Sequence, residues 1–441
     1  MRTSAVKYAV LTWVSTLTMV IFYLVPFHAF LTVWGASLIG HYTALRLWSE
    51  VLLFICVIGV LYLFLSDKKI RSHTVPRRLV QVILLYIALS LIWGLLALDQ
   101  HDVTAKALGY GLISNLRYPV FFLVTWSAAL RLARLRIRWQ RLVIWPAIVV
   151  VVFGLLQIFV LPNDFLRHFG YGPSTIPVLE TINNNQHYVR FISTLRGANP
   201  LGAYLLVPIS LLTVLLIRNG RNWLQGLLMA GSLVVLFFTF SRSAWVGAAL
   251  SVVVILFLSH LAANTQKIAL AVAGGLVVIG ALLAVAFRHD LNYQNFIFHT
   301  QKNSAVAATS DQGHLQALKA GLRDLRHNPG GNGPGTAGPA SFYNTGHPVR
   351  IAENYFVQIG QETGWIGLVL FSLINAGVAY LLYLKRDDPL ALGLLASLIG
   401  LTLINLFSHA WADDTLAFVW WGLAGVALAP NPKAEAGSEP T

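Results

Sequence analysis

The chain has 441 residues, of which 56% are hydrophobic and only 11% are charged. Soluble domains carry about 25% charged residues, so the composition excludes a water-soluble globular enzyme. The apolar residues fall in blocks of about 17 to 25, the length at which an α-helix crosses a bilayer, and the short alternating strands of a membrane barrel are absent. We therefore expect an all-α polytopic membrane protein.

The formal net charge is +14, and a basic total can indicate a nucleic-acid partner. In a membrane protein, the same excess is expected from Lys and Arg in cytoplasmic loops. With the N-terminus placed inside, eighteen of the 31 Lys and Arg residues fall in predicted cytoplasmic segments, against five of the 17 acidic residues. This asymmetry predicts that both termini are cytoplasmic, and it accounts for the charge without nucleic acid.

The apolar pattern predicts about twelve transmembrane helices in a single domain over residues 1–430. The first apolar run is too long for the core of a signal peptide, which indicates a retained helix. The tail 431–441 is predicted to be disordered and cytoplasmic. The twelve predicted spans lie near residues 8–30, 47–65, 79–97, 112–130, 142–161, 200–217, 224–240, 243–260, 268–287, 355–383, 389–408 and 415–429.

Two segments on the predicted outer side are long, 162–199 and 288–353, the second between spans 9 and 10. Polar side chains cluster in them, so chemistry is expected at the outer face. The second segment contains a predicted amphipathic helix over 311–327. The glycine-rich stretch 328–341 then predicts a tight loop that caps an outer cavity.

The predicted loop helix has one apolar face. His314 shares that face, so it is expected to point toward the membrane-embedded body, whereas Arg323 is expected to point to water. A structural histidine with a backbone partner is an equal alternative for His314. The apolar face consists of Leu315, Leu318, Leu322 and Leu325, which recur at helical spacing.

Three arginines, Arg190, Arg196 and Arg242, lie where predicted outer segments enter the bilayer. Asn199 is predicted to cap the sixth span, whose outward N-terminus is a suitable anion site. Two or three guanidinium groups at one level suit a phosphate or pyrophosphate. The structural alternative is that each arginine reaches toward lipid headgroups.

Glu353 lies at the predicted entry to the tenth span and precedes a polar stripe on that helix. A carboxylate at an apolar boundary suits a general base; the alternative is a helix N-terminal acid favoured by the helix dipole. Glu362, two turns deeper, is expected to be buried and hydrogen-bonded; a second functional carboxylate is the alternative. The stripe consists of Asn354, Gln358, Gln361 and Glu362.

The other potentially reactive side chains are expected to have structural roles. Asp413 and Asp414, with His409 close by, are expected in a solvated turn. Cys56 is the only cysteine, so it is expected to be a small buried residue and a disulfide framework is excluded. The sequence contains no Cys/His ligand spacing, HExxH motif or Walker A lysine, so no metal or cofactor is expected.

Four segments in order resemble the O-antigen ligase and O-antigen polymerase superfamily of bacterial envelope proteins. The large outer loop between spans 9 and 10 also fits, and the resemblance covers about residues 190–385. The matching segments are RGANPLGAYL (196–205), TFSRSAWVGA (239–248), NPGGNGPGTAG (328–338) and ENYFVQIGQETGWIGL (353–368).

The resemblance implies a metal-independent glycosyltransferase in the inner membrane of a bacterium. It would pass a glycan from a polyprenyl-pyrophosphate carrier to an acceptor hydroxyl, on a glycan or glycolipid, at the outer face. Typical ligases begin the loop helix with Arg and have His before the Asn at span 10; here these positions are His314 and Glu353. The departure favours the branch of capsule, wall or exopolysaccharide enzymes over lipid A-core ligases. Ligase and polymerase both stay open.

Together these arguments predict an inverting displacement. Glu353 is the predicted general base, and His314 positions the acceptor or the leaving group. Arginines hold the pyrophosphate. The alternatives are a lipid-linked glycan flippase or polysaccharide transporter, which would use a midplane cavity, and a non-catalytic membrane scaffold. The predicted substrate-binding residues are Arg190, Arg196, Arg242, Asn199 and Gln358.

Overall fold

The computed structural model describes residues 2–74, 77–182, 185–220, 222–259 and 310–430, together with short pieces between 261 and 290. In these residues the chain is mostly helical, and its one sheet has two antiparallel strands. This architecture agrees with the predicted all-α membrane fold. Helices are numbered α1–α15 and strands β1–β2 in chain order.

The first half of the chain is a run of helices. α1 (Arg2–Leu24) continues into α2 (His28–Ile39) through one 3₁₀ turn, Val25–Phe27, since Pro26 has no N–H to continue the α-helical pattern. α2 ends at Gly40, whose φ of 74° breaks the helix. The following helices are α3 (Tyr42–Leu45), α4 (Trp48–Ser66), α5 (Lys68–Thr74), α6 (Arg78–Asp99), α7 (Ala105–Ala129) and α8 (Arg134–Phe159).

The second half opens with a small hairpin in the first long segment, after a 3₁₀ turn at Phe165–Phe169. Strands β1 (Glu180–Ile182) and β2 (Asn185–Arg190) are only three and six residues long, and the sequence analysis missed them. The remaining elements are α9 (Ala198–Asn219), α10 (Trp223–Phe238), α11 (Arg242–Leu258), α12 (Ser310–His327), a 3₁₀ turn (Gly338–Tyr343), α13 (Tyr355–Leu384), α14 (Pro389–Asn405), a 3₁₀ turn (Ala410–Ala412) and α15 (Asp414–Leu428).

Eleven of the twelve predicted spans fall on apolar helices in the described residues. Four of these helices, α10, α11, α14 and α15, are shorter than a full span. The ninth predicted span, 268–287, lies largely outside the described residues, so the count of twelve stays a prediction. The seven helical segments long and apolar enough to cross a membrane are Ala5–Ile39, Trp48–Ser66, Arg78–Asp99, Ala105–Ala129, Arg134–Phe159, Ala198–Arg218 and Tyr355–Leu384.

The helices pack closely around α15, which lies along α7, and around α14, which contacts α9 and α11. In lipid, apolar burial gives little driving force between helices, so small residues and polar contacts matter more. At the α11–α14 contact, a Cβ on Gly247 would lie 2.9 Å from the carbonyl oxygen of Gly400. The buried rings of Trp420 and Trp421 on α15 pack on each other and on Trp411, which precedes the helix.

The two ends of the helices differ in their contacts. At one end, basic side chains in the first turn of α8 and just after α13 bind carbonyls at the end of α15 and its C-cap. Arg136 donates to Ala429, and Lys385 Nζ donates to Ala427 at 3.1 Å. The hairpin, α12 and the turn before α15 lie at the other end. This separation is what the positive-inside pattern predicts, and the side of the membrane that each end faces stays a prediction.

Candidate active site

A cavity of about 650 Å³ lies at the end of the helices that carries the hairpin and α12. Five of the seven sequence-predicted site residues line it, although they come from four different parts of the chain: Arg190, Asn199, Arg242, His314 and Glu353. The rest of the lining is largely apolar and consists of Phe240, Val246, Leu315, Leu318, Leu403, Leu406 and Phe407, with Ser241, Ser243 and Ser408.

Glu353 and His314 lie in direct contact in this cavity, through Oε2 and Nδ1. Glu353 precedes the α13 N-cap Asn354, whose Oδ1 accepts a hydrogen bond from the Val357 N–H at 3.0 Å. The φ of Glu353 is 51°, a left-handed conformation that costs a non-glycine residue about 1–3 kcal/mol. The side chains are 37% and 41% exposed, so the pair is accessible from the cavity.

α12 brings His314 to Glu353 because it is fixed against α13. Gly321 allows the close approach, since a Cβ there would lie 2.8 Å from side-chain atoms of Ala352 and Val357. Asp324 adds a polar contact, accepting a hydrogen bond from Gln361 Nε2 at 2.9 Å and pairing with Arg350 at 3.3 Å. The loop helix is thus docked by its small and acidic residues.

The predicted leucine face of this helix is only partly correct. Leu325 is buried against Gly360, whereas Leu315 is 51% exposed and Leu322 is 40% exposed. α13 contacts the narrow face marked by Gly321 and Leu325, so the outer leucines are left uncovered. The helix bounds, predicted as 311–327, agree with the observed Ser310–His327.

Arg190 and Arg242 form a cationic part of the cavity. Arg190 Nε donates to the Thr239 carbonyl at 2.9 Å, and Nη2 donates to Asn199 Oδ1 at 2.6 Å, so its guanidinium is held in place. Burial lowers the pKa of Arg190; Glu180 opposes this effect, and the nearby charge of Arg242 adds to it. Glu180 Oε2 lies 3.7 Å from Arg190 Nη1 and offsets part of the charge of the two arginines; a bound anion would offset more of it.

Asn199 does not cap α9, contrary to the sequence prediction. The N-cap is Gly197, and the Ala198 N–H donates to Glu180 Oε2 at 3.2 Å. The hairpin delivers this carboxylate from 18 positions earlier in the chain, so the local pattern could not reveal it. The Asn199 side chain is instead used to hold Arg190.

Arg196 lies outside the lining of the cavity. Its Nε pairs with Asp413 Oδ2 at 3.1 Å, and the two side chains are 30% and 3% exposed. Although burial lowers the pKa of Arg196, the carboxylates of Asp413 and Asp414 raise it above its ordinary value. The solvated turn predicted at Asp413 and Asp414 is wrong, because both residues are almost fully buried.

Asp414 belongs to a buried charged network that joins α2, α4, α7 and α15. Arg117 pairs with Glu50 at 3.3 Å and with Asp414 at 3.6 Å, and His28 Nδ1 lies 3.3 Å from Asp414 Oδ2. The sequence analysis missed His28, Glu50 and Arg117. The available signal was Arg117 itself, a charged side chain within a predicted span, which rarely faces lipid.

Gln358 also lies away from the cavity, despite its prediction as a substrate contact. Its side chain packs against Gly338 in the glycine-rich stretch. Deeper on the same stripe, Glu362 accepts hydrogen bonds from Asn115 Nδ2 at 2.5 Å and from the Gly335 N–H at 2.7 Å. The stripe therefore anchors the loop, and Glu362 has the buried, hydrogen-bonded position expected for it.

The glycine-rich loop is tight, as predicted, but it packs between α6, α7 and α13 and does not line the cavity. Its glycines are required by close approach. A Cβ on Gly333 would overlap Ala97 of α6, and one on Gly335 (φ 93°) would overlap the Ala107 carbonyl of α7. The loop thus fixes α13 on the neighbouring helices, which in turn fixes Glu353 at the α13 N-terminus.

Two glycines of α7 test this packing. We expect Gly111→Ala to lower the thermal unfolding temperature of the purified protein, because the new Cβ would lie 2.6 Å from Gly335 Cα. Gly109 is the matched control, since it has open space around it; Gly109→Ala should be neutral or stabilising by up to about 1 kcal/mol. Equal unfolding temperatures for the two variants would contradict the loop packing described here.

Comparison with known families supports the resemblance inferred from the sequence. Residues 227–372 match the family described as O-antigen ligase. This match supports the O-antigen ligase superfamily for that part of the chain. Comparison of the chain with curated protein sequences gives no match.

The O-antigen ligase domain covers only part of the cavity. Arg242, His314 and Glu353 lie inside the matched residues, whereas Arg190 and Asn199 precede them. Four further lining residues follow the matched range: Leu403, Leu406, Phe407 and Ser408. Segments on both sides of the matched residues therefore complete the cavity. The family supports glycan transfer in a membrane in general terms.

Proposed function

We propose that the protein transfers a glycan from a polyprenyl-diphosphate carrier to an acceptor hydroxyl in this cavity, without a metal or cofactor, on the outer face of the cytoplasmic membrane of a bacterium. The observation that carries the proposal is the meeting of Glu353 and His314 with Arg190 and Arg242 around one cavity. An acid–base pair and a cationic group are the two elements that this chemistry needs.

The proposed reaction is one direct displacement. The acceptor oxygen forms a bond to the anomeric carbon while the bond from that carbon to the diphosphate oxygen breaks, and the electron pair stays on the diphosphate. Glu353 takes the proton of the acceptor hydroxyl, and the contact with His314 orients its carboxylate. Attack opposite the leaving group inverts the anomeric centre.

The cationic part of the cavity suits the departing diphosphate. Arg190 is fixed by Thr239 and Asn199 before any ligand binds, so little reorganisation is required when negative charge develops. Arg242 sits at the first position of α11, where the helix dipole adds a favourable potential for an anion. Arginine matches phosphate oxygens with paired N–H donors.

The apolar part of the lining suits the lipid of the carrier. Val246, Leu315, Leu406 and Phe407 are between 43% and 57% exposed, which is expected where a cavity continues into lipid. A polyprenyl chain could leave the cavity past these side chains while the diphosphate stays on the arginines. A soluble sugar nucleotide would have no use for this apolar edge.

The main alternative is a transporter of the same lipid-linked glycan, which would use charges near the middle of the membrane. The cavity lies at one end of the helices and contains an acid–base pair, which favours transfer. Reconstituting the full chain in vesicles with a labelled polyprenyl-diphosphate glycan separates the two. Transfer lengthens or re-attaches the labelled glycan, whereas transport moves it across the membrane unchanged.

The diphosphate assignment has its own test. We expect Arg242→Ala and Arg190→Ala each to weaken donor binding by on the order of 10- to 100-fold, the effect of losing a charge-assisted hydrogen bond. Binding of a labelled polyprenyl diphosphate to the purified protein would measure it. Arg167→Ala is the control, since Arg167 is an exposed arginine in the same outer segment. Unchanged donor affinity in both cavity variants would exclude the diphosphate site.

A further inference from the structure

His409 is a polar residue of this end of the molecule that the proposed reaction does not use. It follows Ser408, which lines the cavity, and it precedes the 3₁₀ turn Ala410–Ala412. Its Nε2 is buried and has no hydrogen-bond partner among the described residues. Leaving a buried polar atom without a partner costs free energy, which indicates that a ligand group belongs there.

His409 lies near both Arg196 and the cavity residue His314. Its imidazole is close enough to both Arg196 and His314 for their charges to act on it. Burial lowers the pKa of His409 to about 4, and both of these neighbours lower it as well. The ring is therefore neutral near pH 7 and does not compete with the cavity arginines for an anion.

Arg196, the neighbour of His409, carries a positive charge that Asp413 balances, because Asp413 Oδ2 lies 3.1 Å from Arg196 Nε. The Arg196 side chain is still 30% exposed, so it remains accessible to a ligand. The carboxylate paired with Arg196 is closer than the one paired with Arg190, whose Nη1 lies 3.7 Å from Glu180 Oε2. Arg196 therefore suits uncharged hydroxyl groups better than a diphosphate, which Arg190 and Arg242 can bind.

We infer that Arg196 and His409 form a subsite that binds hydroxyl groups of the acceptor saccharide, next to the cavity that takes the diphosphate. The inference rests on the proposed function. The subsite adjoins His314, the partner of Glu353, so a saccharide held there presents a hydroxyl to the proposed base. His409 as a whole is partly exposed, and the inferred contact requires its ring to turn Nε2 from this buried position toward the saccharide.

The chemistry of the two groups matches a sugar. A neutral imidazole nitrogen either donates or accepts a hydrogen bond, depending on the tautomer, and a sugar hydroxyl can do both. The guanidinium offers only donors, and hydroxyl oxygens accept from them. The two side chains therefore select an acceptor by the positions of its hydroxyl groups, and the acceptor needs no charged substituent.

The test is direct binding of simple saccharides to the purified full chain. The probes are the methyl glycosides of glucose, galactose and N-acetylglucosamine, followed by saturation-transfer NMR. We expect at least one of them to bind the wild-type protein and His409→Ala to weaken that binding by about ten-fold. His409→Asn, which keeps a donor and an acceptor, should retain most of it. His347→Ala, at an exposed histidine of the same end, is the matched control.

The outcomes separate this inference from the proposed function. If none of the glycosides binds the wild-type protein, or if His409→Ala binds them as the wild type does, the subsite is wrong even where glycan transfer is observed. If the glycosides bind through His409 while a labelled donor is never transferred, the subsite stands and the proposed reaction fails. Where transfer occurs, His409→Ala should raise the acceptor KM and leave donor affinity unchanged.

Discussion

Replacing Glu353 with glutamine should lower the rate of glycan transfer by about 10²- to 10⁴-fold, the usual contribution of a general base. Glutamine keeps the size and polarity of the side chain but cannot take the proton of the acceptor hydroxyl. The measurement is single-turnover transfer from a labelled polyprenyl-diphosphate donor by the purified protein in vesicles. Donor binding should stay unchanged, because the proposed diphosphate contacts are Arg190 and Arg242.

Two further variants separate the chemistry of Glu353 from its strained backbone. Glu353→Gly removes the carboxylate and also suits the φ of 51°, so it should raise the unfolding temperature while transfer is lost. Asp164→Asn changes an exposed carboxylate in the first outer segment and should leave transfer intact. Wild-type transfer by Glu353→Gln or by Glu353→Gly would refute the assignment of the base.

Removing Arg117 should destabilise the protein by about 3–5 kcal/mol, the range measured when one partner of a buried ion pair is deleted. Arg117 is 8% exposed, and its loss would remove a cation from the carboxylates of Glu50 and Asp414, which are 14% and 7% exposed. Of the two ion pairs described above for Asp414, only the one with His28 at 3.3 Å would be left. The measurement is the free energy of unfolding of Arg117→Ala, from the folded fraction in mixed micelles of increasing denaturing detergent.

The matched control is the ion pair of Arg131 with Asp67 at the other end of the helices, where the arginine is 32% exposed. Exposed pairs contribute about 1 kcal/mol or less, so Arg131→Ala should have a small effect. Similar losses for the two variants would mean that the Arg117 network is as solvated as a surface pair.

The sequence alone determined the class of the fold and most of its helices. Composition and the length of the apolar blocks are local properties, and a helix satisfies its own backbone hydrogen bonds wherever it ends up in lipid. The helix Ser310–His327 was predictable for the same reason, because the helical spacing of its leucines is visible within one short segment of the sequence. The sequence also supplied the family resemblance, which the match at residues 227–372 supports.

The sequence was less informative about roles within the site. Arg190, Arg242 and Glu353 were selected as charges where outer segments enter the bilayer, Asn199 as a helix cap, and His314 from the apolar face of the loop helix; all five line the cavity. Arg196 was selected as the other arginines were and Gln358 from the polar stripe, yet their partners are Asp413 and the glycine-rich loop. A sequence pattern gives the depth of a side chain in the membrane but not the direction of its neighbours.

Only the tertiary structure decided the contacts between distant segments. The cap of α9 by Glu180, the burial of Asp413 and Asp414, and the pairing of Glu353 with His314 all join residues far apart in sequence. The free energy of a buried charge depends on what surrounds it in three dimensions. The same aspartate is therefore solvated in an open turn and ion-paired in a closed one, and packing of the helices selects between the two.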